Sequence, residues 1–274
     1  MVFFQNVLRI MDRQMKTPSL FGWFHIVSLL LVVLVTIALC YRHKNDSENR
    51  IRLVVLVTGI IVAIAEIYKQ INYSFSYTDG IRYDYQWYAF PFQFCSTPMY
   101  VGLLAGILPK GKLRDALYAY LATFAVFAGA SVMAYPGDVF IGTMGINIQT
   151  MICHGSMICI GVYLFYTGAV KLEHRTILKA MAVFACTVSM AALFNEIAYW
   201  TGLLETETFN MFFISRHCDP SLPVYSLVQP LVPYPISLVI YIIGFTLAAY
   251  VILLLGMGIQ KISAVKKNVS KVTA

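Results

Sequence analysis

Apolar runs of about twenty residues, separated by short polar or charged stretches, set the rhythm of this chain. A membrane-spanning helix needs about 20 residues at ~1.5 Å of rise each. Seven stretches reach that length: 21–41, 51–72, 87–109, 113–134, 147–169, 176–200 and 233–258. Ahead of them, Phe3, Phe4, Val7, Leu8, Met11 and Met15 recur at helical spacing, opposite Arg9, Asp12, Arg13 and Lys16. That pattern predicts an amphipathic helix lying on a membrane surface. The expected fold is all-α and polytopic: an interfacial helix in residues 1–20, a seven-helix transmembrane bundle over 21–260 and a basic tail over 261–274.

The third stretch differs from the others. Its run Phe90-Pro91-Phe92-Gln93-Phe94-Cys95-Ser96-Thr97-Pro98 packs four polar or nucleophilic side chains into one window and ends on a proline. Pro98 supplies no N–H and is expected to free the carbonyl of Phe94. Gly102 and Gly106 further on form a GxxxG, a common device for close helix packing.

Composition agrees with the pattern. The chain is 59% hydrophobic and only 12% charged, about half the charge of a soluble domain. Its net charge of +7 is therefore read as topology, and no basic run interleaved with aromatics points to nucleic acid. Arg42, Lys44, Arg50 and Arg52 precede the second stretch, Lys110, Lys112 and Arg114 the fourth, and Lys171 and Arg175 the sixth. The tail adds Lys261, Lys266, Lys267 and Lys271. By the positive-inside rule the C-terminus is cytoplasmic and the N-terminus outside, although Arg9, Arg13 and Lys16 pull the other way. None of the six cysteines shows CxxC spacing, so neither a zinc site nor a disulfide scaffold is implied, and no cofactor is called for.

Helical rise gives each polar residue a depth. Cys95 falls ~12 Å, His154 ~10 Å and Glu66 ~9 Å from the outer end of its stretch. Lys69 and Gln70 follow Glu66 on the same helical face, and Asn195 and Glu196 sit near the outer end of the sixth stretch. Asn147, Thr150, His154 and Met157 share a face of the fifth, with Cys153 assigned to packing on another. Ionisable groups inside a membrane are costly and mark function, so this level reads as a polar cavity opening outward. Two outer loops would roof it: Tyr73–Gln86, and Thr201–Val232 with Phe209-Asn210-Met211-Phe212-Phe213 and three prolines, which reads as a lid or re-entrant piece.

In that cavity Cys95 is a candidate nucleophile and His154 its candidate base. Ser96 or Thr97 would serve if Cys95 does not. Glu66 and Lys69 either form a structural ion pair, orient His154 or bind a polar head group; Glu196, Asn195 and Asn210 could act likewise. His25 and His43 read as interfacial, and His217-Cys218 alone makes no metal site.

At these residues the chain resembles the YwaF-type bacterial membrane proteins, which are related to the mammalian transmembrane-protein-164 acyltransferase. The similar features are Pro91-Phe92-Gln93-Phe94-Cys95-Ser96, the pair Glu66/Lys69, the run Cys153-His154-Gly155, Asn195, and Asn210 with Phe212-Phe213 before a proline-rich entry to the last stretch. The resemblance covers most of residues 50–250 and implies a seven-span enzyme whose cysteine–histidine pair, here Cys95 and His154, moves fatty acyl groups between lipids. The mammalian branch has a histidine directly after its cysteine, where this chain has Ser96.

The resulting expectation is a multi-pass cell-membrane acyltransferase, or acyl hydrolase, acting on a phospholipid or other acyl lipid. Glu66 or Glu196 would fix the histidine tautomer, and Gln93, Asn195 or Asn210 would donate to the oxyanion. The alternative is a non-enzymatic transporter or lipid- or ion-binding protein in which the same polar cluster forms a relay.

Overall fold

A computed structural model describes residues 2–42, 46–203 and 208–272. His43 and Lys44 lie outside the described residues, as do the side chains of Lys266, Lys267 and Lys271. Helices dominate: α1 (Val2–Met11), α2 (Trp23–Arg42), α3 (Glu48–Asn72), α4 (Thr97–Ile107), α5 (Lys112–Tyr120), α6 (Val126–Ala134), α7 (Met144–Tyr166), α8 (Arg175–Trp200), α9 (Tyr225–Val228) and α10 (Tyr234–Val272). A five-residue π-helical turn, Leu121–Ala125, joins α5 to α6 in one rod. Two short strands, β1 (Phe75–Ser76) and β2 (Arg82–Tyr83), form an antiparallel hairpin after α3.

Among the described residues, six helical rods are long and apolar enough to cross a membrane: α2, α3, α5–α6, α7, α8 and α10. Their burial orders them. The α5–α6 rod and α7 bury 72% and 67% of their most apolar stretches and form the middle of the bundle. The same measure is 11% for α2 and 17% for α10, yet both are apolar on every side. Each packs one narrow face on the bundle, through His25 in α2 and Tyr241 and Leu253 in α10, and such an apolar, largely exposed helix suits a lipid environment. The seventh apolar stretch is not one helix. Only Thr97–Ile107 is α-helical, and Trp87–Ser96 descends through two 3₁₀ turns. Pro91 and Pro98 explain this: Phe90 before Pro91 is held out of the helical region, and Pro98, which has no N–H to give the Phe94 carbonyl, can begin a helix but not continue one. Pro98 lies in the first turn of α4, where its missing N–H costs nothing. The Phe94 carbonyl is not left free: it accepts a hydrogen bond from Thr97 Oγ1 at 2.9 Å.

Glycines let the backbones close up. A Cβ on Gly106 would lie 2.7 Å from the Cα of Leu56, so α4 lies directly against α3, as the GxxxG suggests. A Cβ on Gly129 would lie 2.6 Å from the carbonyl oxygen of His154, so α6 backs onto the turn of α7 that carries this histidine.

The core is aromatic. Phe184 of α8 stacks on Phe124 at 4.5 Å and meets Phe94, Phe212, Phe245 and Tyr241. Phe212 belongs to the loop after α8, and Phe209, Met211, Phe212 and Ile214 are all buried. That loop therefore folds into the bundle as a plug. At the other edge α1 leans on the hairpin through Phe4 and Phe75, with Leu8 buried and Phe3 and Ile10 exposed. His25, near the start of α2, is fully buried, with Nε2 donating to the Met133 carbonyl at 2.8 Å and Nδ1 accepting from the Phe21 N–H.

Candidate functional site

Three segments meet at one end of the bundle: the last turns of α3, the irregular descent before α4 and the first half of α7. Between them lies a cavity of about 270 Å³ whose walls include Glu66, Lys69, Gln93, Cys95, Ser96 and His154. The loop after α6 closes one side with Asp138, Val139 and Ile141. Asn147 ties that loop to α7, accepting from the Ile141 N–H at 2.9 Å and donating to its carbonyl at 2.7 Å.

The Glu66 carboxylate is buried and fixed. Lys69 Nζ lies 2.7 Å from it, Gln70 Nε2 donates at 2.8 Å and Gln149 Nε2 reaches it at 3.4 Å. The Gln70 amide also donates to the Ala89 carbonyl at 2.8 Å, which pins the start of the descent to the end of α3.

His154 is buried, and its Nδ1 lies 2.8 Å from the carbonyl oxygen of Thr150. A carbonyl only accepts, so Nδ1 carries the proton and a neutral ring has its lone pair on Nε2. Nε2 is itself buried and has no hydrogen-bond partner among the described residues. The Oγ of Ser96 is in the same condition. Cys95 is partly buried on the same cavity and is a free thiol. Thr97 is engaged elsewhere, bonded to Phe94 and, at 2.6 Å, to the buried hydroxyl of Tyr120.

The structure thus brings together Glu66, Lys69, Gln93, Cys95 and His154, and leaves Asn195, Glu196 and Asn210 off the cavity wall. Those three shape the plug. Asn195 accepts from the Met211 N–H at 2.7 Å and donates to its carbonyl at 3.0 Å. Asn210 Oδ1 caps the Ser215 N–H at 2.9 Å. Gln93 also spends its amide on the plug, donating to the Asn210 carbonyl at 3.0 Å and accepting from the Phe212 N–H at 2.9 Å. Glu196 pairs with Arg216 at 2.8 Å and His217 at 3.2 Å, and neither it nor Glu66 touches His154, whose orienting partner is Thr150.

Gln149 was overlooked, and Cys153 was assigned to packing. Gln149 and Cys153 both line the cavity, and Gln149 Nε2 lies 3.2 Å from Cys153 Sγ. They occupy the stripe of α7 next to the His154 stripe, and Cys153 also packs with Val62 and Met99, as a packing residue would. The signal for Gln149 was its presence inside an apolar span.

Residues 20–257 match the TMEM164 family. The chain belongs to that family. The motifs that carried the resemblance to transmembrane-protein-164 relatives lie within the matched range, and in this TMEM164 family member they cluster at the cavity or at the plug beside it. No curated protein and no solved structure matches the chain.

Proposed function

We propose that this TMEM164 family protein is a membrane-embedded acyltransferase that carries a fatty acyl group of a phospholipid as a thioester on Cys95. The observation that supports this reading most directly is that a free thiol and a buried, unpartnered imidazole nitrogen share one cavity. His154 Nε2 takes the proton of the Cys95 thiol, and the sulfur attacks the ester carbonyl. The tetrahedral adduct collapses, the lysolipid alkoxide leaves and His154 returns the proton to it. A second lipid alcohol, deprotonated at Nε2, attacks the thioester, forms the new ester and frees Cys95. Water in that step would make the protein a hydrolase. The negative charge on the adduct needs a donor. The Ser96 hydroxyl, buried without a partner, and the Lys69 ammonium are the groups on the wall best suited to it.

The same reading makes the 87–107 segment a seventh crossing. It follows α3 along its length, from Gln70 bonded to the Ala89 carbonyl at one end to Arg114 bonded to Glu48 and to the Leu108 carbonyl at the other. An irregular descent is tolerated at membrane depth where protein or a cavity surrounds it. Seven crossings with the basic loops inside put the N-terminus and the cavity outside the cell membrane, with α1 on the outer surface.

The test is to supply the purified protein in lipid with a phospholipid bearing a labelled acyl chain and to map labelled cysteines by mass spectrometry. The expected product is a hydroxylamine-labile adduct on Cys95 that disappears in His154→Ala. Absence of any acyl adduct, or one that ignores His154, would overturn the reading.

A further inference from the structure

The opposite end of the bundle holds a second polar cavity, of about 420 Å³, lined in part by Glu48, Lys110, Arg114, Tyr118, Lys171 and Lys179. It lies at the starts of α3, α5 and α8, and Glu48 is about 27 Å along α3 from Glu66, so the two cavities are separate. The wall carries four cations against three carboxylates, since Asp115 and Glu173 also line it. Its inner part is built. Arg114 is 3% exposed, donates from one terminal nitrogen to Glu48 and from the other to the Leu108 carbonyl, and lies over the Tyr118 ring. Yet the Arg114 Nε–H and the Tyr118 hydroxyl, both buried on this wall, have no hydrogen-bond partner among the described residues. Buried donors are satisfied in nearly every folded protein, so two orphans on one cavity point to an absent acceptor.

We propose that this cavity binds a phosphate diester, with Arg114 Nε and the Tyr118 hydroxyl as inner donors and Lys171 and Lys179 as outer cations. Orphan groups and outer cations alike are donors, so the ligand must be an acceptor with several oxygens. Glu48 and the Leu108 carbonyl already occupy the terminal nitrogens of Arg114, Glu48 also pairs with the Lys110 ammonium, and the lining as a whole keeps one positive charge in excess. A monoanion suits that balance better than a multiply charged anion, and a phosphodiester is the monoanion that abounds where transmembrane helices end. Basic pockets of this kind between transmembrane helices hold lipid head groups.

Thermal unfolding of the full-length protein, in micelles or nanodiscs of neutral lipid, with either inorganic phosphate or phosphatidylglycerol added, tests this. Native mass spectrometry counts retained phosphatidylglycerol. Lys171 and Lys179 are exposed, so Lys171→Gln/Lys179→Gln should fold normally and serves as the control for Arg114→Gln. Phosphatidylglycerol should stabilise the wild type, and each variant should bind it about tenfold more weakly, the loss expected for one charge-assisted contact. Stabilisation by inorganic phosphate as well, weakened by the same variants, would support the site and name a soluble phosphate ester as a second source. Failure of both ligands to stabilise, or equal binding by the double variant, would overturn the proposal.

Discussion

The Thr150 carbonyl, 2.8 Å from Nδ1 of His154, decides which nitrogen of that ring can act as a base. The bond lies within a single turn of α7, so helix geometry sets the tautomer and no carboxylate is needed. His154→Ala should therefore lower acyl transfer by about 10²–10⁴-fold, the usual worth of a positioned base. Replacing Glu66 should act through cavity shape and charge rather than through the tautomer. A Cys95 reactivity assay with a thiol-directed acyl mimic separates the two: loss only with His154→Ala supports the base, whereas equal loss with Glu66→Gln argues against it.

The Glu66–Lys69 pair makes its own prediction. Breaking a buried pair leaves an uncompensated charge and costs about 3–5 kcal/mol, while removing both partners can be nearly neutral. Glu66→Gln and Lys69→Met should each lower the unfolding midpoint sharply, and the double variant should recover much of the loss. If the double variant folds well and still transfers acyl groups, the pair is structural. Folding without transfer would assign it to the substrate.

Much of this arrangement was legible in the sequence, because helices convert residue number into depth. Counting rise along three stretches put Glu66, Cys95 and His154 at one level, and one cavity joins them. The same counting put Asn195 and Glu196 there, but depth does not give direction around the axis. Both side chains turn to the loop beyond α8, whose Met211, Arg216 and His217 they hold. Their partners lie 16 to 21 residues away in irregular backbone, where no periodicity exists to read. The third stretch shows a related limit. Its hydrophobicity is that of a full helix, while Pro91 and Pro98 limit the helix to eleven residues.

The plug depends on Gln93. Phe212 and Phe213 sit in the left-handed region at φ 57° and 56°, a conformation that costs non-glycine residues on the order of 1 kcal/mol or more. Gln93 holds the loop there with two backbone hydrogen bonds. Gln93→Leu should destabilise the protein by about 1–3 kcal/mol, since it leaves the buried Phe212 N–H unpaired, while the Asn210 carbonyl keeps its bond from the Phe213 N–H. Limited proteolysis should then cut first between residues 208 and 220. An unchanged cleavage pattern would show that the aromatic packing of Phe212 and the Asn195 bonds to Met211 hold the plug without Gln93.

Gly129 offers a way to move His154 without altering it. A side chain there would meet the His154 carbonyl at 2.6 Å, so Gly129→Ala must push α6 and α7 apart by several tenths of an ångström. Overpacking of this kind costs about 1–3 kcal/mol. The variant should unfold at a lower temperature and, because α7 carries His154 and Gln149 into the cavity, lose more activity than its stability loss accounts for. Near-normal turnover at a temperature where the variant is fully folded would mean that the separation of α6 from α7 does not set the geometry of the site.

The last prediction concerns orientation. Asp79 lies in the turn between β1 and β2, at the end of the bundle that holds the Cys95 cavity, and Lys112 begins α5 at the end that holds Arg114. With the basic loops inside, Asp79→Cys should react with a membrane-impermeant maleimide on intact cells, and Lys112→Cys only after the membrane is opened. Identification of the labelled peptide separates these sites from the native cysteines. The result has a chemical consequence, because it decides which leaflet supplies the acyl donor. Labelling in the reverse order would place the Cys95 cavity on the cytoplasmic side, with donor and acceptor lipids drawn from the inner leaflet. It would also move the phosphodiester cavity to the outside, where the head groups of the outer leaflet would be its only lipid source.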